Sequence, residues 1–339
     1  MAYSACFRFA RIDFSTNPSL FFFGDPAMHT LEPTLAKYPN PILRYFGATR
    51  PAFLSITLVA CLIGFACASA SGLPFQMDKA FVALFFALVA HAAANVINDY
   101  YDYQLGSDAK NDERIFPFTG GSRFIVNGVL SPKEARIFGY ALLLSVIPAG
   151  LWLMEVSANG LFWIGLAGMF AGWAYSAPPL QLVCRGVGEP FIYTGWTVIA
   201  IGADFVLRGD FSTMPWFAGT PFALLVVNIL YINQFPDMKG DAAAGKRTLI
   251  VRLGTRTARW FYLGIALFAY AFLLGAVAWG GLPLYAAAGV IALPLSLSAA
   301  RDLLIHADTP ARLLNAIKRT ILAANLSGLA TALGLWAAA

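Results

Sequence analysis

Nine stretches of the chain stay apolar for about 18 to 25 consecutive positions, the length a helix needs to cross the ~30 Å hydrocarbon core of a bilayer. They fall at approximately 52–72, 79–103, 134–154, 159–176, 189–207, 216–236, 258–279, 283–300 and 314–337, separated by Gly, Pro and polar turn signals. Connections after the second, fourth, sixth and eighth stretches are the longer polar ones, so the long loops collect on one face. The pattern predicts an all-α membrane protein of about nine transmembrane helices.

Composition supports the bilayer as solvent: of 339 residues, 59% are hydrophobic and 12% charged, against the roughly 25% charge of soluble domains. The net charge of +5 does not point to nucleic acid, because the basic residues sit between apolar runs rather than in one stripe with interleaved aromatics. Their placement predicts orientation. Of 23 Lys and Arg residues, 21 fall in the N-terminal segment and the longer loops, leaving Lys79 and Arg208 for the other side. Basic loops stay inside, which predicts the N-terminus and long loops in the cytoplasm; the expected location of this multi-pass protein is the cell inner (cytoplasmic) membrane. Residues 1–40 are expected to form an N-terminal cytoplasmic segment and 41–339 the membrane domain. Residues 1–27 lack the continuous apolar core of a secretory signal, and Met28 is expected to be the true start. Cys6, Cys61, Cys67 and Cys184 show neither CxxC pairing nor zinc spacing and are read as small apolar fillers.

Acidic residues concentrate at two helix ends. The second stretch closes on Asn95-Val-Ile-Asn98-Asp99-Tyr-Tyr-Asp102, where Asn95, Asp99 and Asp102 (i, i+4, i+7) lie within roughly 60° on one helix face. Gly106 breaks the helix and lets Asp108 return from the loop. The sixth stretch closes on Asn233-Gln-Phe-Pro236-Asp237-Met-Lys239-Gly-Asp241, with Asn233, Asp237 and Asp241 again on one stripe and Pro236 a candidate bend. Carboxylates at the edge of hydrocarbon are expensive, so a cation is expected between the two stripes. Oxygen ligands without His or Cys select Mg²⁺ or Ca²⁺ over zinc, and Mg²⁺ is the better choice because it binds through one or two carboxylates and completes its shell with substrate phosphates. Cations for the phosphate follow each stripe: Lys110, Arg114 and Arg123, the last in Gly120-Gly121-Ser122-Arg123, then Lys239, Lys246 and Arg247.

Together these motifs, with Asp237-Met-Lys-Gly-Asp241-Ala-Ala-Ala-Gly-Lys246-Arg247-Thr-Leu, resemble the UbiA-type intramembrane prenyltransferases over about residues 40 to 339. The resemblance implies a helical bundle around a central cavity, a cytoplasmic cap built by the loops after the second and sixth helices, and a lateral opening for a lipid tail. It implies transfer of a polyprenyl group from polyprenyl diphosphate to an aromatic acid. Asp99, Asp102, Asp237 and Asp241 carry over as Mg²⁺-diphosphate ligands, with Asn95, Asn98 and Asn233 in support. Many members place an acid where this chain has Gly106, which leaves Asp108 as the substitute. That departure, with Gly-Gly-Ser-Arg and Gly-Lys-Arg-Thr-Leu, looks most like the 1,4-dihydroxy-2-naphthoate polyprenyltransferase branch of menaquinone biosynthesis; the 4-hydroxybenzoate branch fits less well.

Tyr175 and Glu189 fall where family members line the acceptor side, so Tyr175 is expected to orient or deprotonate a phenol and Arg185 to attract a carboxylate. Asp204 and Arg208, one helical turn apart, are expected to pair, and His91 to be a satisfied buried histidine. Two other classes stay open at this stage: an ion-coupled secondary transporter using the acids as ion sites, and a catalytically silent lipid-binding scaffold.

Overall fold

The computed structural model describes residues 32–339. Cys6, Arg8, Arg11 and the expected start at Met28 lie outside the described residues. Among the described residues the chain is helical with no strand, as the hydropathy pattern requires. A short amphipathic helix, α1 (Pro41–Ala48), precedes the bundle. The nine predicted stretches become α2 (Ser55–Ala70, entered through a 3₁₀ turn at Pro51–Leu54), α3 (Met77–Leu105), α4 (Pro132–Val156), α5 (Leu161–Ser176), α6 (Gly188–Arg208) and α7 (Met214–Ala243) in the first six positions. After a one-turn α8 (Leu249–Leu253) come α9 (Thr255–Ala278), a 3₁₀ segment at Leu284–Ala292 continuing into α10 (Leu293–His306), and α11 (Leu314–Trp336). Seven of these nine are long and apolar enough to cross a membrane; the protein is an integral, multi-pass membrane protein. The other two are α5, with 16 residues, and α11, whose run is diluted by Lys318, Arg319, Asn325 and Thr331.

Two elements depart from the hydropathy boundaries. α7 runs past the apolar stretch and through Pro236 for two more turns to Ala243, so Asp237 and Asp241 stand on the helix, as their shared stripe with Asn233 predicts. A proline costs its own N–H bond and crowds the preceding turn, and packing of the buried Tyr231, Ile232 and Phe235 around it outweighs that cost. The eighth stretch runs six residues past its expected end, to His306.

α7 is the axis of the bundle and is buried along most of its length, with α6, α9, α2 and α11 packed around it. Small residues set the closest approaches, as expected where helices cannot be driven together by water exclusion. At Gly64 a Cβ would collide with the carbonyl of Ala200, so α2 and α6 cross backbone to backbone, and Gly334 meets the Tyr285 carbonyl in the same way. α3 and α4 pair on the opposite side. Asp204, buried on α6, receives two bonds from Arg208, at 2.7 and 2.8 Å, as the i, i+4 spacing predicts.

Candidate active site

A cavity of about 610 Å³ opens between α2, α3, α4, α5, α6 and α7. One end is polar and the rest apolar, a division that follows from where each helix changes character. On α3, Ala83, Phe86, Ala87, Ala90 and Ala94 line it, then Asn95, Asn98 and Asp102 on the same face. From Ala83 to Asn98 is about 22 Å at 1.5 Å per residue. Gly165, Gly168 and Gly172 of α5, with Gly195 and Gly202 of α6, keep the apolar part open. On the side of α4 and α5, Ile147, Leu151, Phe162 and Leu166 line the cavity and are 40% to 58% exposed.

At the polar end the two Asp motifs, 135 residues apart, meet across Lys246. The Lys246 ammonium lies 2.8 Å from Asp102 Oδ1 and 3.5 Å from Asp241 Oδ1, with under a tenth of each side chain exposed. Burial works against the Lys246 charge, but Asp102 and Asp241 outweigh it and hold its pKa well above the usual lysine value. Asp108 returns from the loop after α3, as the Gly106 break predicts, with Gly106 itself in the left-handed region at φ 76°. Burial, reinforced by Asp102 and Asp99, pushes the Asp108 carboxyl well above the ordinary carboxylate range. A Cβ at Gly121 (φ 71°) would collide with Asp108 Oδ2 and stand 3.1 Å from Asp99 Oδ1, so the glycine is what lets this loop close over the acids.

The amide nitrogens of the asparagines are spent on protein acceptors, while the Asn233 Oδ1 is buried without a partner among the described residues. Asn98 donates to Asp102 Oδ2 (3.2 Å) and to the Ser176 hydroxyl (3.0 Å); Asn95 donates to the Thr49 carbonyl and Asn233 to the Phe118 carbonyl. Asp99 is set back from the cavity wall, both of its oxygens accepting from the Ser122 N–H at 3.2 Å. The predicted single stripe of Asn95, Asp99 and Asp102 is therefore divided among three partners. Asp237 accepts from Asn111 Nδ2, and from the Gly120 N–H and Thr119 hydroxyl of the first loop, tying the two motifs together on a second line.

The basic residues separate sharply. Lys246 alone of the six expected phosphate cations lines the cavity. Lys110 donates to the Ala243 carbonyl, Lys239 pairs with Glu113 on the surface, and Arg247 is exposed. Arg114 and Arg123 turn towards Glu32. Arg185 is exposed and donates to the Pro179 carbonyl; Tyr175 and Gln234 line the cavity, and Glu189 behind them accepts from Gln234 Nε2 at 2.8 Å. His91 also lines it, bonded to the Thr57 hydroxyl at 2.8 Å and edge-on to Trp196.

Sequence reasoning passed over Arg50, Asn111, Gln234 and Thr248. Arg50 had been counted only as an inside-positive charge; its backbone is left-handed (φ 55°), its guanidinium sits 4.6 Å over the Phe53 ring and donates to the Phe118 carbonyl, and it lines the cavity. Its position directly before Pro51 at the mouth of the first span was the available signal.

The donor set is all hard oxygen, and four carboxylates face the cavity against the cations Lys246 and Arg50. Among the described residues no three His, Cys, Asp or Glu side chains converge into a ready cage. That combination suits Mg²⁺, which takes one or two carboxylates per ion and leaves the remaining positions to water and phosphate oxygens.

A multi-pass helical bundle with an acid-capped, lipid-sized cavity is an intramembrane site suited to an amphipathic ligand. The family model described as UbiA prenyltransferase family matches residues 57–329, and the chain belongs to that family. It is 28% identical over 69% of its length to UbiA prenyltransferase domain-containing protein 1 of Dictyostelium discoideum, covering 72% of that protein. It is likewise 28% identical over 87% of its length to 1,4-dihydroxy-2-naphthoate octaprenyltransferase of Escherichia coli, covering 96%. A solved UbiA homolog from Archaeoglobus fulgidus, bound to DMAPP and Mg²⁺, shares the fold with a TM-score of 0.57 at 15% identity, over 85% of this chain and 99% of that one. The protein is a prenyltransferase, and membership in this family takes away the ground for the transporter reading.

Proposed function

We propose that the protein transfers a polyprenyl group from polyprenyl diphosphate to 1,4-dihydroxy-2-naphthoate, in a Mg²⁺-dependent reaction at the cytoplasmic face of the inner membrane. The observation that carries this reading is the joining, in one cavity, of an acid cluster bridged by Lys246 to an apolar channel along α3, α5 and α6. The E. coli relative bears the name of that activity, and the Archaeoglobus homolog holds an allylic diphosphate with Mg²⁺.

Asp102, Asp108, Asp237 and Asp241 would hold the metal, with Asp99 behind them; when bound, Mg²⁺ neutralises diphosphate charge and so eases its departure. The chain's own groups do the rest. Lys246 and Arg50 receive the diphosphate oxygens as the allylic C–O bond breaks and its electron pair leaves with the diphosphate. The apolar walls, with Trp196 and Phe191 among them, keep water from the cation and offer aromatic faces to it. Tyr175, beside Gln234 and with Glu189 behind it, orients the phenol, whose carboxylate-bearing ring carbon forms the new C–C bond; loss of CO₂ from that same carbon returns its electron pair to the ring and restores the hydroquinone. Arg185, Lys110, Lys239 and Arg247 act only through the positive charge of that face, and the tail of a long prenyl chain leaves between α4 and α5 into lipid.

The test is turnover of the purified protein in nanodiscs with Mg²⁺, a polyprenyl diphosphate and a panel of aromatic acids. Prenylated, decarboxylated naphthoquinol is the expected product. Preferential alkylation of 4-hydroxybenzoate would move the assignment to the ubiquinone branch, and diphosphate release without any alkylated acceptor would overturn it.

A further inference from the structure

Glu32 stands at the start of the described chain, far from either Asp motif in sequence, yet it is a buried acid with 6% exposure. Its carboxylate accepts from Arg114 Nε at 2.7 Å and from Asn127 Nδ2 at 3.0 Å, and lies 3.5 Å from Arg123 Nε. Burial alone would raise its pKa; the bonds from Asn127 and Arg114 and the charge of Arg123 win, and hold it below the ordinary glutamate value. The segment around it is fastened as well, by Lys37 to the Glu32 carbonyl at 2.8 Å and by Asn127 to the Pro33 carbonyl at 3.1 Å.

Each arginine continues inward. Arg114 donates to the Asn111 carbonyl at 2.7 Å, and the Asn111 side chain donates to Asp237 Oδ1. Arg123, held in the left-handed region at φ 67°, donates to the Asp108 carbonyl. One carboxylate on the N-terminal segment thus anchors two arms. One ends on the second Asp motif and the other on the loop acid of the first. Both arginines are occupied in bracing the site, an arrangement that leaves the cavity-facing cations, Lys246 and Arg50, to the phosphate.

We propose that Glu32 is a positioning residue that sets Asp108 and Asp237 for metal binding through Arg123 and Arg114. The inference rests on the reading of the cavity as a Mg²⁺-diphosphate site. Groups that orient metal ligands are worth about 10- to 100-fold in metal affinity, which fixes the size of effect to look for.

The experiment uses the full chain in nanodiscs, with Mn²⁺ as the paramagnetic probe and inorganic diphosphate as co-ligand, followed by electron paramagnetic resonance. Glu32→Ala is expected to weaken Mn²⁺ binding by about 10- to 100-fold and to raise the Mg²⁺ concentration for half-maximal turnover in parallel. The KM for the aromatic acceptor should not move, and Glu32→Asp should recover part of the loss. Glu32→Gln, which keeps the side chain's shape while removing its charge, serves if the alanine variant does not fold. A variant with wild-type Mn²⁺ affinity, whatever its melting temperature, would overturn the relay. If the wild-type protein itself binds no Mn²⁺ in the presence of diphosphate, the cavity reading falls and the relay with it.

Discussion

Gly121 is where the absence of one carbon matters most. Its φ of 71° is costly for any side chain, and its missing Cβ is what admits Asp108 Oδ2 beside Asp99. Gly121→Ala should leave helix content and yield unchanged while lowering kcat/KM by about 100-fold, the penalty of roughly an ångström of misplacement at a reacting site; activity within threefold of wild type would show that the loop closes without it. Lys246 was legible in the sequence as one of six equivalent cations, and only its bonds to Asp102 and Asp241 single it out. Arg114 and Arg123 look the same on paper and point elsewhere, because a side chain's partner is decided by what the fold brings within its reach, here a glutamate over 80 residues away.

Helix α6 shows how an intramembrane charge is made tolerable. Asp204 is 1% exposed, and Arg208 supplies a two-point bond that also reaches the Ser71 hydroxyl at 2.9 Å. Removing one partner of such a pair leaves an uncompensated buried charge, at a cost of about 3–5 kcal/mol. Arg208→Met should therefore lower stability by that amount, read from detergent or urea unfolding, and the double variant Asp204→Leu with Arg208→Met should recover most of it; equal stability of both would mean the pair is neutral. This pairing was legible from i, i+4 spacing alone, since it is contained in one turn. The continuation of α7 past Pro236 was legible in the Asn233, Asp237 and Asp241 stripe, but not what sustains it, which is burial of Tyr231, Ile232 and Phe235 against neighbouring helices.

Across the whole molecule, the asymmetry of basic residues makes a statement about direction. If the long loops face the cytoplasm, then in a background lacking the native cysteine at position 6, Lys79→Cys in intact cells should react with a membrane-impermeant maleimide and Lys110→Cys only after permeabilisation. The reverse order would invert the orientation. Helix α1 belongs to the same scale: Ile42, Leu43 and Phe46 are 76%, 51% and 56% exposed on its apolar face, a pattern suited to a helix lying in the interface.

Hydropathy and charge spacing were sufficient for the helical class, for the nine stretches and for the two acidic ends, because crossing hydrocarbon constrains every residue of a span locally. They also carried the family motifs. Which acids face the cavity, which cation bridges them and which arginines serve as braces required the folded chain. Those choices are made by contacts between segments more than 80 residues apart, such as Lys246 with Asp102 and Glu32 with Arg114, and no local pattern encodes the distance between them.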